Sequence, residues 1–245
     1  IAINTPVTNI LAIDDPQPVL ADSLPNSQLE VTNATSTFPN QNTILSGKNA
    51  LRTSVLAAIS SHSVLHFSCH GHVNFNSPLN SGLLLANNET LTLRDFFNTQ
   101  FSNVRLAILS ACNTSLPGSK LPDEALSLPT GLLQAGVPGI VASLWSVADL
   151  STMMLLSRFY DYWRQDGLQP SEALRQAQIW VRDTTNGEKI TYFEQFMPEF
   201  IPQPPTDKMA GQVADFLFKS LMLENPDERS FAHPFHWAAF TYVGV

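Results

Sequence analysis

The chain has 245 residues, of which 44% are hydrophobic, enough to build a sizeable core and too apolar for disorder. Lys and Arg number 13 against 21 Asp and Glu, a net charge of -8 with no dense basic block, which argues against nucleic acid as a partner. The longest apolar runs, such as Gly82 to Ala86 and Gly139 to Trp145, fall far short of the roughly 20 residues of a membrane span, and two cysteines, Cys69 and Cys112, are too few for a disulfide scaffold and fit a reducing cytoplasm.

The chain opens Ile1-Ala2-Ile3 with neither methionine nor signal segment, which predicts a piece excised from a longer protein. Val7 to Ile13 reads as a first strand, stopped by Asp14, Asp15 and Pro16. Residues 17–43, rich in Pro, Asn, Ser and Thr, read as loop with at most one short element. Leu51, Val55, Ala58 and Ile59 form the stripe of an amphipathic helix, after which Val64 to Ser68 is a strand leading into His70 and Gly71. Gly82 to Leu85 and Thr90 to Leu93 suggest a hairpin, with a short helix around Asp95 to Asn98. A second buried strand, Val104 to Leu109, runs into Ser110, Ala111 and Cys112.

Further along, a helix interrupted by Pro129 is expected over Asp123 to Ala135, then a strand over Gly139 to Trp145. Helices follow at about Leu150 to Gln165, stopped by Gly167, and at Ser171 to Arg182. Residues 183–229 lack a clean repeat, except for a helix over Gln212 to Leu223, and read as an insertion. Trp237 to Val245 closes the chain as a last strand. Strands alternating with helices predict one α/β domain over 1–245, a mostly parallel sheet with helices on both faces, and chemistry at the carboxyl ends of its strands.

His70 and Cys112 both fall at that edge, 42 positions apart. A thiolate that attacks a carbonyl and an imidazole that moves the proton are the minimum for thiol hydrolysis. The N–H groups of Gly71 and Cys112 are candidates for an oxyanion hole. A lone cysteine is more often inert core, and that reading suits Cys69, which alternates to the opposite face from His70, beside Leu65 and Phe67. His66 shares His70's parity and is either a site residue or a hydrogen-bonded core histidine. His66, His70 and His72 also allow a zinc reading, ranked below thiol chemistry because no matching downstream ligand set is evident; neither metal nor cofactor is expected. Nucleotide, dinucleotide and serine-hydrolase motifs are missing.

The segments HFSCHGHVNFNSPLNSGLLLA (His66 to Ala86) and LAILSACNTS (Leu106 to Ser115) resemble the CHAT domain family, as do VPGIVASLWSVADLST (Val137 to Thr152), ALRQAQIWVR (Ala173 to Arg182) and HPFHWAAFTYVG (His233 to Gly244). CHAT domains are bacterial relatives of caspases and separase, abundant in cyanobacteria and often fused to tetratricopeptide repeats. The resemblance implies a caspase-like three-layer α/β sandwich, an upstream helical repeat region, and a cysteine endopeptidase acting on protein substrates with His70 as imidazole and Cys112 as nucleophile. By similarity to separase-like relatives, Asp149 in LWSVAD would help a pocket accept arginine through charge-assisted bonds, with Asp14 and Asp15 as a second acidic wall. Asp149 equally suits the N-cap of the helix that follows. A loop over Pro117 to Asp123 poorer in glycine than the family pattern, together with Pro129, points to conditional activity; the alternative, of a different class, is a silent CHAT domain acting as an interaction scaffold.

Overall fold

Short β-branched and leucine-rich runs punctuated by Asp, Ser and Gly generate the strands of the central sheet. A computed structural model of the chain describes residues 6–38, 42–74, 76–111, 127–194 and 224–245. The strands are β1 (Ile10–Asp14), β2 (Asn42–Ser46), β3 (Val64–Ser68), β4 (His70–His72), β5 (Gly82–Leu85), β6 (Glu89–Thr92), β7 (Leu106–Ser110), β8 (Gly139–Ser143) and β9 (Phe240–Gly244). Six form one sheet in the order β2-β1-β3-β7-β8-β9, parallel except for the β8–β9 pair, while β4-β5-β6 make a small antiparallel sheet beside it.

Alternation along the buried strands divides two cores. Ile10, Val64, Leu106, Ile108 and Val141 face α1 (Ser27–Ser36), α5 (Asp149–Tyr160) and α6 (Pro170–Asp183). Leu11, Leu65, Phe67, Leu109 and Ile140 face α2 (Arg52–Ala58), α3 (Leu93–Phe97) and α4 (Leu128–Gln134). The result is the expected three-layer α/β sandwich. From β1 the chain goes first to β2 on one side and then to β3 on the other, so the order reverses between β1 and β3. In open α/β sheets that switch leaves a crevice outside the strand carboxyl ends.

Several elements differ from the sequence reading. Residues 17–43 contain a ten-residue helix, α1, and the start of β2. Polar and β-branched residues dominate α1 (SQLEVTNATS), so it has no apolar stripe; it buries Glu30 and Asn33 in hydrogen bonds instead, with Asn33 donating to Ser157 Oγ at 2.7 Å. Pro129 does not interrupt its helix: it sits in the first turn of α4, where its missing N–H costs nothing, behind the Ser127 cap. Within the stretch read as an insertion, α7 (Asn186–Glu194) packs Tyr192 and Phe193 against Trp180 of α6. The Asn186 N–H bonds to the Glu228 carbonyl, fastening the segment after it. The helix expected over 212–223, the loop 117–123 and Cys112 lie outside the described residues. Among the described residues no helix is long and apolar enough to cross a membrane.

The small sheet matters because β4 carries His70 and Gly71. Its middle strand begins at Gly82, paired with His72 on one side and Thr92 on the other, and a Cβ there would overlap the Leu91 main-chain carbonyl. Gly82→Ala is therefore expected to cost about 2 kcal/mol or more, read as a lowered midpoint in urea unfolding.

Candidate active site

At the carboxyl edge of the sheet, the register sets Asp14 opposite Ser68 and Ser68 opposite Ser110. The ladder continues one step further, with the Asp15 N–H donating to the Ser68 carbonyl at 3.0 Å and the Cys69 N–H to the Ser110 carbonyl at 3.2 Å. His70 lies two residues beyond Ser68, and Cys112 lies two positions beyond Ser110 in the sequence. Ala111, the residue before Cys112, is buried, and its carbonyl accepts from Ser143 Oγ at 2.7 Å.

His70 is half-exposed at the start of β4, where it pairs with Leu84, and Gly71 pairs with Leu83. Nε2 of His70 is 2.7 Å from the carbonyl oxygen of Asp22. A carbonyl can only accept, so Nε2 carries the proton and the neutral ring keeps its lone pair on Nδ1. That tautomer can take a proton at Nδ1 while Nε2 holds the ring in place.

The other histidines do not join it. His66 is fully buried on the α1/α5 side of β3, with Nε2 2.8 Å from Glu30 Oε1 and Nδ1 2.9 Å from the Tyr160 hydroxyl. The Glu30 carboxylate is the acceptor, so Nε2 donates. Burial, reinforced by the Glu30 charge, holds the Tyr160 phenol well above its usual range, so it stays protonated. Among the described residues no three His, Cys, Asp or Glu side chains converge as a metal site, and the zinc reading finds no ligand set there. Cys69 is buried in the second core with Leu65 and Phe67.

Beside Ala111 a narrow pocket opens on the α1/α5 side of the sheet. Ser68, Cys69 and Ser110 line it from the strand ends, Leu24 from ahead of α1, and Val147, Asp149 and Thr152 from the entry to α5, so Cys69 borders the pocket although its side chain is buried. Asp149 does not cap its helix: Ala148 occupies that position, and Asp149 is the first helical residue. Its Oδ2 accepts from the Asn26 main-chain N–H at 2.8 Å and from Asn26 Nδ2 at 2.6 Å. Burial pushes its carboxyl above the usual range; the Asn26 main-chain bond opposes this, the Glu30 charge adds to it, the Asn26 side chain opposes it and Asp15 adds to it. None of the ion pairs among the described residues involves Asp149. Asp149 is thus a half-buried carboxyl that meets no cation among the described residues, with the charges of Glu30 and Asp15 acting on it.

Asp15 takes a left-handed backbone, φ 35°, uncommon for a residue with a side chain. Its two oxygens accept from Gln17 Nε2 at 3.1 Å and Ser23 Oγ at 2.8 Å. Asp14 is buried instead, accepting from Ser27 and Ser46, both at 2.7 Å. Sequence reasoning named Asp149 and Asp15 but missed Asn26 and Glu30. The available signal was Ser27-x-x-Glu30, the spacing of a capping box at a helix start.

A search of curated proteins finds no match. Among solved structures the chain is similar to the Arg specific cysteine proteinase gingipain R (RGPB), with 11% identity and a TM-score of 0.50 over 96% of this chain and 46% of that one. It is likewise similar to the complex of Porphyromonas gingivalis RgpB pro- and mature domains, with 10% identity and a TM-score of 0.50 over 97% of this chain and 47% of that one. The chain thus spans less than half the length of either, and at such identity the likeness shows the fold alone. The CHAT domain family model matches residues 2–245. With the model covering nearly the whole sequence, this chain belongs to the CHAT domain family.

Proposed function

We propose that the chain is a cysteine endopeptidase that cleaves protein substrates after a basic residue, preferentially arginine, through His70 and Cys112. The observation that carries this reading is the register of β3 and β7. It pairs Ser68 with Ser110, which stand in the sequence two residues before His70 and two before Cys112, and both serines line a pocket with the half-buried Asp149, which meets no cation among the described residues.

In this mechanism the Cys112 thiol gives its proton to Nδ1 of His70, and the thiolate attacks the scissile carbonyl carbon. The carbonyl oxygen becomes an oxyanion held by the N–H groups of Gly71 and Cys112. Collapse of the tetrahedral adduct breaks the C–N bond, and the imidazolium returns the proton to the leaving amine. Water then attacks the thioester with His70 as base, which frees the new carboxylate and the thiol. The chemistry calls for no cofactor. The bond from His70 Nε2–H to the Asp22 carbonyl supports this role, since it favours the Nδ1 lone pair and stabilises the imidazolium.

The side chain before the cut would enter the pocket toward Asp149, with Asp15 supplying further negative potential. The gingipain R structure is described as Arg specific, and an acidic pocket in the same fold agrees with that preference here. The setting we propose is cytoplasmic, with an upstream helical repeat region in the full protein.

A peptidyl-arginine electrophile offered to the full-length protein should label Cys112 and leave Cys69 unmodified, and Cys112→Ala should abolish both labelling and cleavage while the circular dichroism spectrum is unchanged. Persistent cleavage by Cys112→Ala would refute the mechanism, and failure to label under any activating condition would favour a scaffold. Asp149→Asn is expected to lower kcat/KM for arginine peptides by about 30-fold or more. Its reaction with iodoacetamide, which needs no P1 side chain, should be no slower than that of the parent.

A further inference from the structure

Resting on that reading of the pocket, we propose that Asn26 is a specificity-positioning residue: it clamps one oxygen of Asp149 so that the other is presented, ionised, to the basic side chain of the substrate.

Asn26 stands at the N-cap of α1, where an asparagine ordinarily accepts a bond from its own helix. Here the side chain makes no cap bond. Its amide turns to Asp149, and its main-chain N–H does the same, so both donors meet on Oδ2. A carboxylate can only accept, which fixes the amide with Nδ2 toward Asp149. Oδ1 of Asn26 is left buried with no partner among the described residues, on the same amide group as the nitrogen that touches Asp149. An orphaned acceptor beside a carboxylate costs stability in the empty pocket and favours a cation that fills it. The helix therefore forgoes a cap, and a buried carbonyl goes unsatisfied, in an arrangement that serves Asp149. Burial and the charges of Glu30 and Asp15 push the Asp149 carboxyl up, and the two Asn26 bonds are what oppose them. Losing the side-chain donor raises the carboxyl further, so the pocket loses its charge at a higher pH and the carboxylate is held by the Asn26 main-chain N–H alone.

The proposal is tested without turnover in full-length protein carrying Cys112→Ala, by calorimetric binding of agmatine, an arginine without its carboxylate, across a pH series. The parent should bind more weakly as the pH falls through the Asp149 titration. Adding Asn26→Ala, which removes no helix cap, should weaken binding at neutral pH by about tenfold and move the acid loss of binding to higher pH. A carbon-13 NMR titration of the Asp149 carboxyl should shift in the same direction, a readout that a merely structural role would not move. Unchanged affinity and titration in Asn26→Ala, with Asp149→Asn still impaired, would overturn the role of Asn26 and leave the arginine preference standing. A parent that binds no agmatine at any pH would overturn both. Failure of the Cys112 labelling, with the Asn26 effect intact, would remove the peptidase reading alone.

Discussion

The contact on which the carboxyl edge of the sheet depends is the buried bond from His66 Nε2 to Glu30 Oε1, 2.8 Å long, which fastens α1 to the middle of β3. A buried pair of this kind gains little over a well-packed apolar replacement, because both groups must leave water. Its value is positional. α1 buries Leu29, Val31 and Ala34 but shows no apolar stripe, and Glu30, Asn33 and Ser27 help to set its rotation over the sheet by each binding a different element: β3, α5 and β1. Removing one partner would leave a buried group with nothing to answer it, so the helix is held in one register by the cost of every other.

That fixed helix, with the turn before it, bonds His70, Asp14, Asp15 and Asp149 and lines the pocket between them. The Asp22 carbonyl receives His70, Ser23 binds Asp15, Leu24 walls the pocket, Asn26 clamps Asp149, and Ser27 binds Asp14. Residues from β1, β3, β4 and α5, far apart in the sequence, are therefore aligned against one short stretch of chain. The arrangement explains why a polar helix is kept where an amphipathic one would pack more easily. Its polar atoms serve the neighbours, and three of its oxygens, Asn26 Oδ1, Glu30 Oε2 and Asn33 Oδ1, have no partner among the described residues.

The parts of the fold legible in the sequence are those governed by burial. β3, β7 and β8 are continuous apolar runs because helices cover them on both faces, and α6 shows its stripe because one face meets the core. α1 was illegible because its contacts are hydrogen bonds, which leave no periodic pattern. The Ser27-x-x-Glu30 spacing did mark its start, yet both side chains bond elsewhere, Ser27 to Asp14 and Glu30 to His66. Pro129 misled because a proline in the first turn and a proline that breaks a helix look alike until the cap at Ser127 is located. α7 was hidden because what holds it is an aromatic cluster with Trp180 and a tie to Glu228, both set by tertiary placement. Of the site, the strand-end position of His70 follows from alternation and the end of an apolar run, whereas the clamp on Asp149 needs the register between α1 and α5 and could not be read from either alone.

The two halves of the site face opposite electrostatic demands, and their separation reconciles them. An acidic pocket that attracts a cation also raises the cost of forming a thiolate nearby, because like charges oppose ionisation. A histidine that accepts the thiol proton becomes a cation and offsets that cost, provided it is held apart from the carboxylates rather than paired with one. His70 meets this condition in the structure. Nε2 is bound to a neutral main-chain carbonyl, no ion pair among the described residues includes its ring, and the carboxylate-paired imidazole of the strand is His66, buried in the core. Placing the acid-bound histidine in the core and the carbonyl-bound one at the strand end lets one segment, HFSCHG, serve both the scaffold and the proposed proton relay.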